Sequence, residues 1–269
     1  MNHGLLVIDP QNDFCDQPGA SLPVAGACAD MGRLADFMTR MGSRLSRLIV
    51  TLDSHPYVGI ERPTFWQTGT RDAIAPFTPI LAADVEAGRF LPRRAELRPQ
   101  VLNYLRALEA AGRYTLMVWP VHCVTGTWGH NIEQQVAAAL NQWELTHQRQ
   151  VTKVLKGMNP MTEQYSAIRA EVPCPDDPLT LPNQTLLASL KAIDGYLYVA
   201  GEASSHCVKA TMEDVFQALT PQQMGRIILL TDCMSPVAGF EQQSEAFMSF
   251  ARGLGAKTLT SAQAMAQHG

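Results

Sequence analysis

An open three-layer α/β/α sandwich around a mainly parallel, Rossmann-like sheet of about six strands is the fold this chain predicts, on three observations. Apolar runs of strand length recur along the sequence, at 5–8, 48–52, 114–118, 151–155, 196–200 and 227–230. Most are unbroken rather than alternating, which suits strands covered on both faces. Helical spacings of apolar residues lie between them, at 27–41, 97–111, 132–143, 186–193, 208–219 and 242–254. Strand and helix therefore alternate, as right-handed crossovers between parallel strands require.

Composition bounds the same answer. A chain of 269 residues with 46% hydrophobic and 17% charged residues and a formal net charge of -4 is an ordinary globular chain, large enough for one sizeable core. A single domain over 1–269 is expected. No basic run or aromatic-basic stripe is present, and the cluster Arg93, Arg94 and Arg98 also contains Glu96, so nucleic acid is not an expected partner. The start, Met1-Asn2-His3-Gly4, enters an apolar run without a basic region or cleavage site, and no apolar stretch approaches the roughly 20 residues that span a bilayer. A cytoplasmic protein with no membrane partner is the expectation. The six cysteines form no CxxC pair, so they read as reduced thiols rather than a zinc knuckle or disulfide framework.

In parallel α/β sheets, ligands bind beyond the carboxyl ends of the strands. The residues just past the runs are Asp9, Asp53 with His55, His122, Lys156, Cys207 and Asp232. Asp232 reads best as a turn residue. Cys207 falls in the first turn of a helix, where unpaired N–H groups favour a thiolate, so a lowered pKa is expected, with Ser204 and Ser205 as caps. Taken alone, Cys207 equally suits a small buried side chain.

Asp53 and His55 are two residues apart, so on extended chain both side chains share one face. With His122 they make a carboxylate and two imidazoles, a set that suits zinc, manganese or iron with positions left open. The competing assignment is a capped turn and a satisfied histidine; Cys123 is a competing ligand, and His130 reads as a surface residue. A cysteine nucleophile also needs a proton acceptor. His206 adjoins Cys207 but points elsewhere on a helix, whereas Asp9 and Lys156 share the predicted edge and supply a carboxylate and an ammonium. Lys153 sits within the strand run and is a decoy.

These residues resemble a known family. The stretches 6–14, 51–56, 119–127, 156–157 and 201–209 are similar, in order, to the motifs of nicotinamidases within the isochorismatase-like cysteine hydrolases, and the match spans almost the whole chain. The D-x-H and W-P-x-H-C pair points to the metal-containing branch. The resemblance implies an isochorismatase-like hydrolase fold, a triad of Asp9, Lys156 and Cys207, and metal ligands Asp53, His55 and His122. It further implies an oxyanion hole from the N–H groups of Ala203 and Cys207, a cis bond between Glu202 and Ala203, and Phe14 and Trp119 packing on the substrate ring.

The implied cofactor is one divalent metal ion, zinc before manganese or iron. The implied reaction is hydrolysis of a small primary amide through a thioester, nicotinamide to nicotinic acid and ammonia, a step of NAD salvage. The alternatives are an amidase for a carbamoyl or maleamate-type amide, and a noncatalytic relative that binds a small molecule. Two departures bear on the substrate. The family's further histidine and Ser-Phe pair after D-x-H-P are replaced by Ile60-Glu61-Arg62-Pro63-Thr64-Phe65-Trp66, and the insertion at about 67–113 is longer than usual. That insertion is expected to form a lid or an oligomer contact, and a homo-oligomer is expected.

Overall fold

The computed structural model describes residues 2–269. Its central sheet has six strands, β1 (His3–Ile8), β2 (Leu45–Asp53), β7 (Thr152–Lys156), β8 (Leu197–Gly201), β9 (Ile227–Leu230) and β10 (Lys257–Leu259). They are ordered β10-β9-β8-β1-β2-β7, and every neighbouring pair is parallel. The chain runs outward from β1 to β7, then returns to the other side of β1 and runs outward again. The reversal falls between β1 and β8, so the loops after these two strands part from each other there and leave a crevice.

Side-chain alternation along the strands builds two cores. Leu6, Ile8, Ile49, Val199 and Leu229 face one layer, formed by α5 (Gln184–Lys191), α6 (Cys207–Ala218) and α8 (Glu241–Gly253). Leu5, Val7, Val50, Tyr198 and Ile228 face the other, formed by α1 (Ala27–Met41), α4 (Gln134–His147) and α9 (Ser261–His268). Burial on both sides is what the unbroken apolar runs required. The short α7 (Pro221–Met224) leads into β9.

Two expectations need correction. The run at 114–118 is not a strand of the central sheet: only Leu116–Val118 is extended, as β6, and it pairs antiparallel with β4 (Thr78–Ile80). The sixth central strand is β10, which sequence reading passed over. It has three residues, none fully buried, at the sheet edge, so it carries no apolar run.

The stretch from 67 to 113 has a core of its own. Here β3 (Trp66–Thr68) pairs with β5 (Phe90–Pro92), and α2 (Ala82–Glu86) and α3 (Arg98–Ala111) pack with them around Trp66, Ile80, Val85, Leu105 and Leu108. Trp66 is fully buried, and its indole N–H donates to the Ile60 carbonyl at 2.6 Å, tying this unit to the loop after β2.

Candidate active site

Four neighbouring strands, β8, β1, β2 and β7, bring Cys207, Asp9, Asp53 with His55, and Lys156 to one edge. Ile8 is in register with Gly201, and Asp53 with Lys156. Gly201 has φ +115°, and a Cβ there would meet the Ile8 carbonyl oxygen at 1.9 Å, so only glycine lets β8 run so close to β1. Past it, the Glu202–Ala203 peptide bond is cis, as the resemblance implied.

Asp9 is fully buried and has φ +46°, a left-handed conformation that aspartate tolerates better than most residues. The Thr51 hydroxyl donates to Asp9 Oδ1 at 2.5 Å and accepts the Asp9 N–H at 3.1 Å. Asp9 Oδ2 lies 2.9 Å from Lys156 Nζ but has no aligned donor, which leaves it open to receive a proton. Lys156 Nζ donates to Asp53 Oδ1 at 2.9 Å, to the Gln164 carbonyl at 3.2 Å and to Cys207 Sγ at 3.5 Å. Burial opposes its charge, but Asp53 and Asp9 outweigh burial and hold it as an ammonium.

Cys207 is the first residue of α6, so its N–H has no intrahelical acceptor. Its thiol does not behave as the helix-start argument expects. Burial pushes its pKa well up, Lys156 pulls it down, and Asp9 pushes it up again, with a net rise. Desolvation of the buried sulfur outweighs the pull of Lys156. Burial also raises the pKa of Asp9, the carboxyl beside it.

Asp53, His55 and His122 also converge, with ligand atoms all within 4.8 Å of one another and all three residues buried. His55 Nε2 is 2.8 Å and His122 Nε2 is 3.2 Å from Asp53 Oδ2. His122 reaches this point because its loop runs beside the end of β2: the His55 N–H donates to the Cys123 carbonyl at 3.1 Å and the Thr125 N–H to the His55 carbonyl at 3.0 Å.

The donor chemistry fits a metal ion. His122 Nδ1 is 2.7 Å from the Pro120 carbonyl, which only accepts, so Nδ1 carries the hydrogen. Burial keeps the ring neutral, and its Nε2 lone pair then faces a carboxylate oxygen. Such a contact is repulsive without a cation between the two atoms. His55 Nδ1 is likewise held 3.1 Å from Glu61 Oε1, the outer support that metal-binding imidazoles use. Burial disfavours His55 protonation, yet Asp53 and Glu61 push its pKa up to about 10, a further sign of unbalanced negative charge.

A narrow cavity joins the two halves. Phe14, Trp119, Tyr165 and Val237 form its walls, and Asp53, His122, Ala203 and Cys207 open onto it. Phe14 and Trp119 both line this cavity. The Trp119 indole donates to Tyr165 Oη at 2.9 Å, which fixes both rings. His206 lines the cavity too, but its Nδ1 is engaged with Ser205 Oγ at 2.9 Å, and burial drives its pKa down to about 4. Ser204 and Ser205 make no cap bond to α6.

The other sequence candidates lie elsewhere or act as supports. Cys123 is buried outside the ligand set, and its N–H donates to Asp13 Oδ2 at 2.6 Å. His130 is partly buried, with Nε2 2.8 Å from Ser54 Oγ, so it braces the D-x-H loop. Asp232 binds the Ser261 N–H and hydroxyl at the start of α9, a structural role. Lys153 is exposed.

Sequence reading missed Gln11, Glu163 and Tyr165, and took Glu61 and Arg62 only as a departure bearing on the substrate. Gln11 clamps Asp53 by accepting its N–H at 2.7 Å and donating to its carbonyl at 2.8 Å. Arg62 is fully buried, donates to Glu61 Oε1 at 2.9 Å and holds the His122 carbonyl at 2.7 Å. The adjacent Glu61-Arg62 pair was the available signal, since it replaces the expected histidine at the same place in the loop.

No family model matches the sequence, and comparison with curated proteins finds no match. Solved structures do match. The yeast nicotinamidase aligns over 96% of this chain and 99% of its own, with a TM-score of 0.65 and 21% identity. An Acinetobacter baumanii nicotinamidase and pyrazinamidase covers 97% of each chain, with a TM-score of 0.64 and 19% identity. A Pyrococcus horikoshii pyrazinamidase, solved in complex with zinc, covers 97% of this chain and 99% of its own, with a TM-score of 0.55 and 17% identity. The structural neighbours of this chain are nicotinamidases, pyrazinamidases and isochorismatase-family proteins, and theirs is the fold it has.

Proposed function

We propose that this protein is a metal-containing cysteine amidohydrolase that converts nicotinamide to nicotinic acid and ammonia. The observation that carries the reading is the cluster of Asp9, Lys156 and Cys207 in contact, through Lys156, with the Asp53, His55 and His122 set on one cavity. The resemblance to nicotinamidase motifs and the shared fold support it. Zinc is the metal of choice for a carboxylate and two imidazoles, with manganese or iron as substitutes.

The ring lies between Phe14 and Trp119, with the amide carbonyl carbon over Cys207 Sγ. Asp9 Oδ2 takes the thiol proton as sulfur attacks that carbon. The N–H groups of Ala203 and Cys207 receive the developing oxyanion, and Lys156 keeps the Asp9 and sulfur charges in place. Asp9 then gives the proton to the leaving nitrogen, the C–N bond breaks, and ammonia departs from a thioester. Asp9 next deprotonates a water, whose oxygen attacks the thioester carbon. The C–S bond breaks, and the proton returns from Asp9 to Cys207. A bound divalent ion supplies a Lewis-acidic anchor for the ring nitrogen or a water.

Rapid quenching with nicotinamide followed by intact-mass measurement tests this reading. A nicotinoyl adduct on Cys207, absent in Cys207→Ser, is expected. Turnover of nicotinamide with no adduct on Cys207 in any quench interval contradicts it.

A further inference from the structure

We propose that Glu202 is a positioning residue for the oxyanion hole: its carboxyl, braced by Asp30, clips the loop that carries Ala203 and Cys207 to the loop after β9. The inference rests on the amidohydrolase reading and adds to that site a residue outside its cavity. Neither the Ala203 nor the Cys207 N–H has an acceptor among the described residues, so both are open to an oxyanion. Such donors stabilise developing charge only as far as they are held in place beforehand. The Ser235 N–H donates to Glu202 Oε2 at 3.1 Å, and the Ser204 N–H donates to the Ser235 carbonyl at 2.9 Å. Ser235 thus grips the residues on both sides of Ala203, one through its side chain and the other through its backbone.

The Glu202 carboxyl is itself fixed from behind. Glu202 is fully buried, and Asp30, on α1, is its side-chain neighbour. Asp30 Oδ2 accepts the Ser235 hydroxyl at 2.6 Å, and Asp30 Oδ1 pairs with Arg33, whose Nε donates to the Asp232 carbonyl. Glu202 Oε1 accepts no hydrogen bond, and burial followed by Asp30 raises the pKa of this carboxyl well above the ordinary range. With the proton on Oε1, the carboxyl donates to Asp30 while Oε2 accepts from Ser235, so both oxygens are satisfied. A leucine here would fill the space but leave the Ser235 N–H without its acceptor. Glu202, Asp30 and Ser235 are all absent from the cavity lining, so they act on the reaction only through where Ala203 sits.

The test measures nicotinamide hydrolysis, and inhibition by pyridine-3-carboxaldehyde and by nicotinic acid, in the metal-loaded wild type, Glu202→Gln, Glu202→Leu and Ser235→Ala. When Cys207 adds to the aldehyde, the S–C bond forms as the C=O π bond opens onto oxygen, and the thiol proton passes to Asp9. The oxygen then occupies the oxyanion position, which nicotinic acid reaches without any bond to sulfur. Glu202→Leu is expected to lower kcat on the order of 10–100-fold with KM nearly constant, because a displaced donor is felt only in the transition state. It is expected to weaken the aldehyde by a similar factor and to leave nicotinic acid unaffected. Glu202→Gln, which accepts from Ser235 and donates to Asp30, is expected to recover most of that loss, and Ser235→Ala, which severs only the link to Asp30, to fall between. Wild-type behaviour in Glu202→Leu, a loss confined to KM, equal weakening of aldehyde and nicotinic acid, or Glu202→Gln as impaired as Glu202→Leu overturns the proposal. Should Glu202→Leu fail to fold, wild-type kcat and aldehyde affinity in Ser235→Ala overturn it. Each of these results leaves the amidohydrolase reading standing, whereas no hydrolysis of nicotinamide by the wild type overturns that reading and this inference with it.

Discussion

Lys156 Nζ stands 2.9 Å from Asp53 Oδ1, and the two residues are register partners on adjacent parallel strands. This pair joins the Asp9 and Cys207 half of the site to the Asp53, His55 and His122 half. Lys156 also faces Asp9 at 2.9 Å, and all three groups are buried. Removing one partner of a buried pair leaves uncompensated charge and costs about 3–5 kcal/mol. Lys156→Met is therefore expected to lower stability by about that amount and to abolish turnover, measured by urea denaturation and ammonia release on the same preparation. Retained stability with retained turnover would show that the lysine is a spectator.

Asp9 has two opposite effects on Cys207 that one variant separates. Its carboxylate raises the thiol pKa, and in the proposed reaction it accepts the thiol proton during attack. In Asp9→Asn, amide turnover is expected to fall on the order of 10²–10⁴-fold, as for loss of a general base. Alkylation of Cys207 by iodoacetamide at neutral pH is expected to speed up, because a group that opposed ionisation is gone. Parallel loss of both rates would mean that the substitution merely disrupts the cavity.

Glu61 supports His55, a proposed metal ligand, without belonging to the ligand set. It holds His55 Nδ1 at 3.1 Å and is itself held by Arg62 at 2.9 Å. Outer supports of this kind are typically worth about 10–100-fold in metal affinity. Glu61→Gln is expected to weaken zinc binding within that range in a competition titration with a chromophoric chelator. Unchanged affinity would place His55 outside the coordination sphere.

Glu202 supplies a pH signature away from Asp53, His55 and His122. It is fully buried with Oε1 unpartnered, and burial followed by the nearby Asp30 carboxylate raises its pKa well above the ordinary value. Because the folded pKa lies above the unfolded one, the folded state holds the extra proton. Its contribution is complete below the unfolded value of about 4.3 and is lost as pH rises toward the folded pKa. Glu202→Gln, which mimics the protonated form, is expected to match wild type near pH 4.5 and to exceed its melting temperature at pH 8.5. A constant difference across that range would exclude Glu202 as the titrating group.

Most of the site was legible because its residues stand directly after apolar runs, and a parallel sheet brings every such position to one edge. Asp9, Asp53 and Lys156 were placed at that edge by position, whereas Cys207, several residues past its run, equally suited a small buried side chain when taken alone. His122 was placed correctly for a partly wrong reason, since the run before it belongs to an antiparallel ribbon with Thr78–Ile80. What escaped are groups whose meaning is three-dimensional. Glu163 sits in an irregular loop, Arg62 reads as an ordinary charge until it is found fully buried, and β10 has too few apolar residues to announce itself. The thiol pKa escaped because helix-start electrostatics are local, whereas desolvation depends on the whole enclosure. No helix among the described residues is long and apolar enough to cross a membrane.

The central claim is that Cys207, served by Asp9 and Lys156, cleaves a small aromatic amide in this cavity. The most direct measurement is ammonia release from nicotinamide by zinc-loaded wild type and Cys207→Ala side by side. Steady release by the wild type, reduced on the order of 10⁴-fold or more in the variant, is the predicted result. Equal release by both proteins, or none by the wild type, would contradict the account.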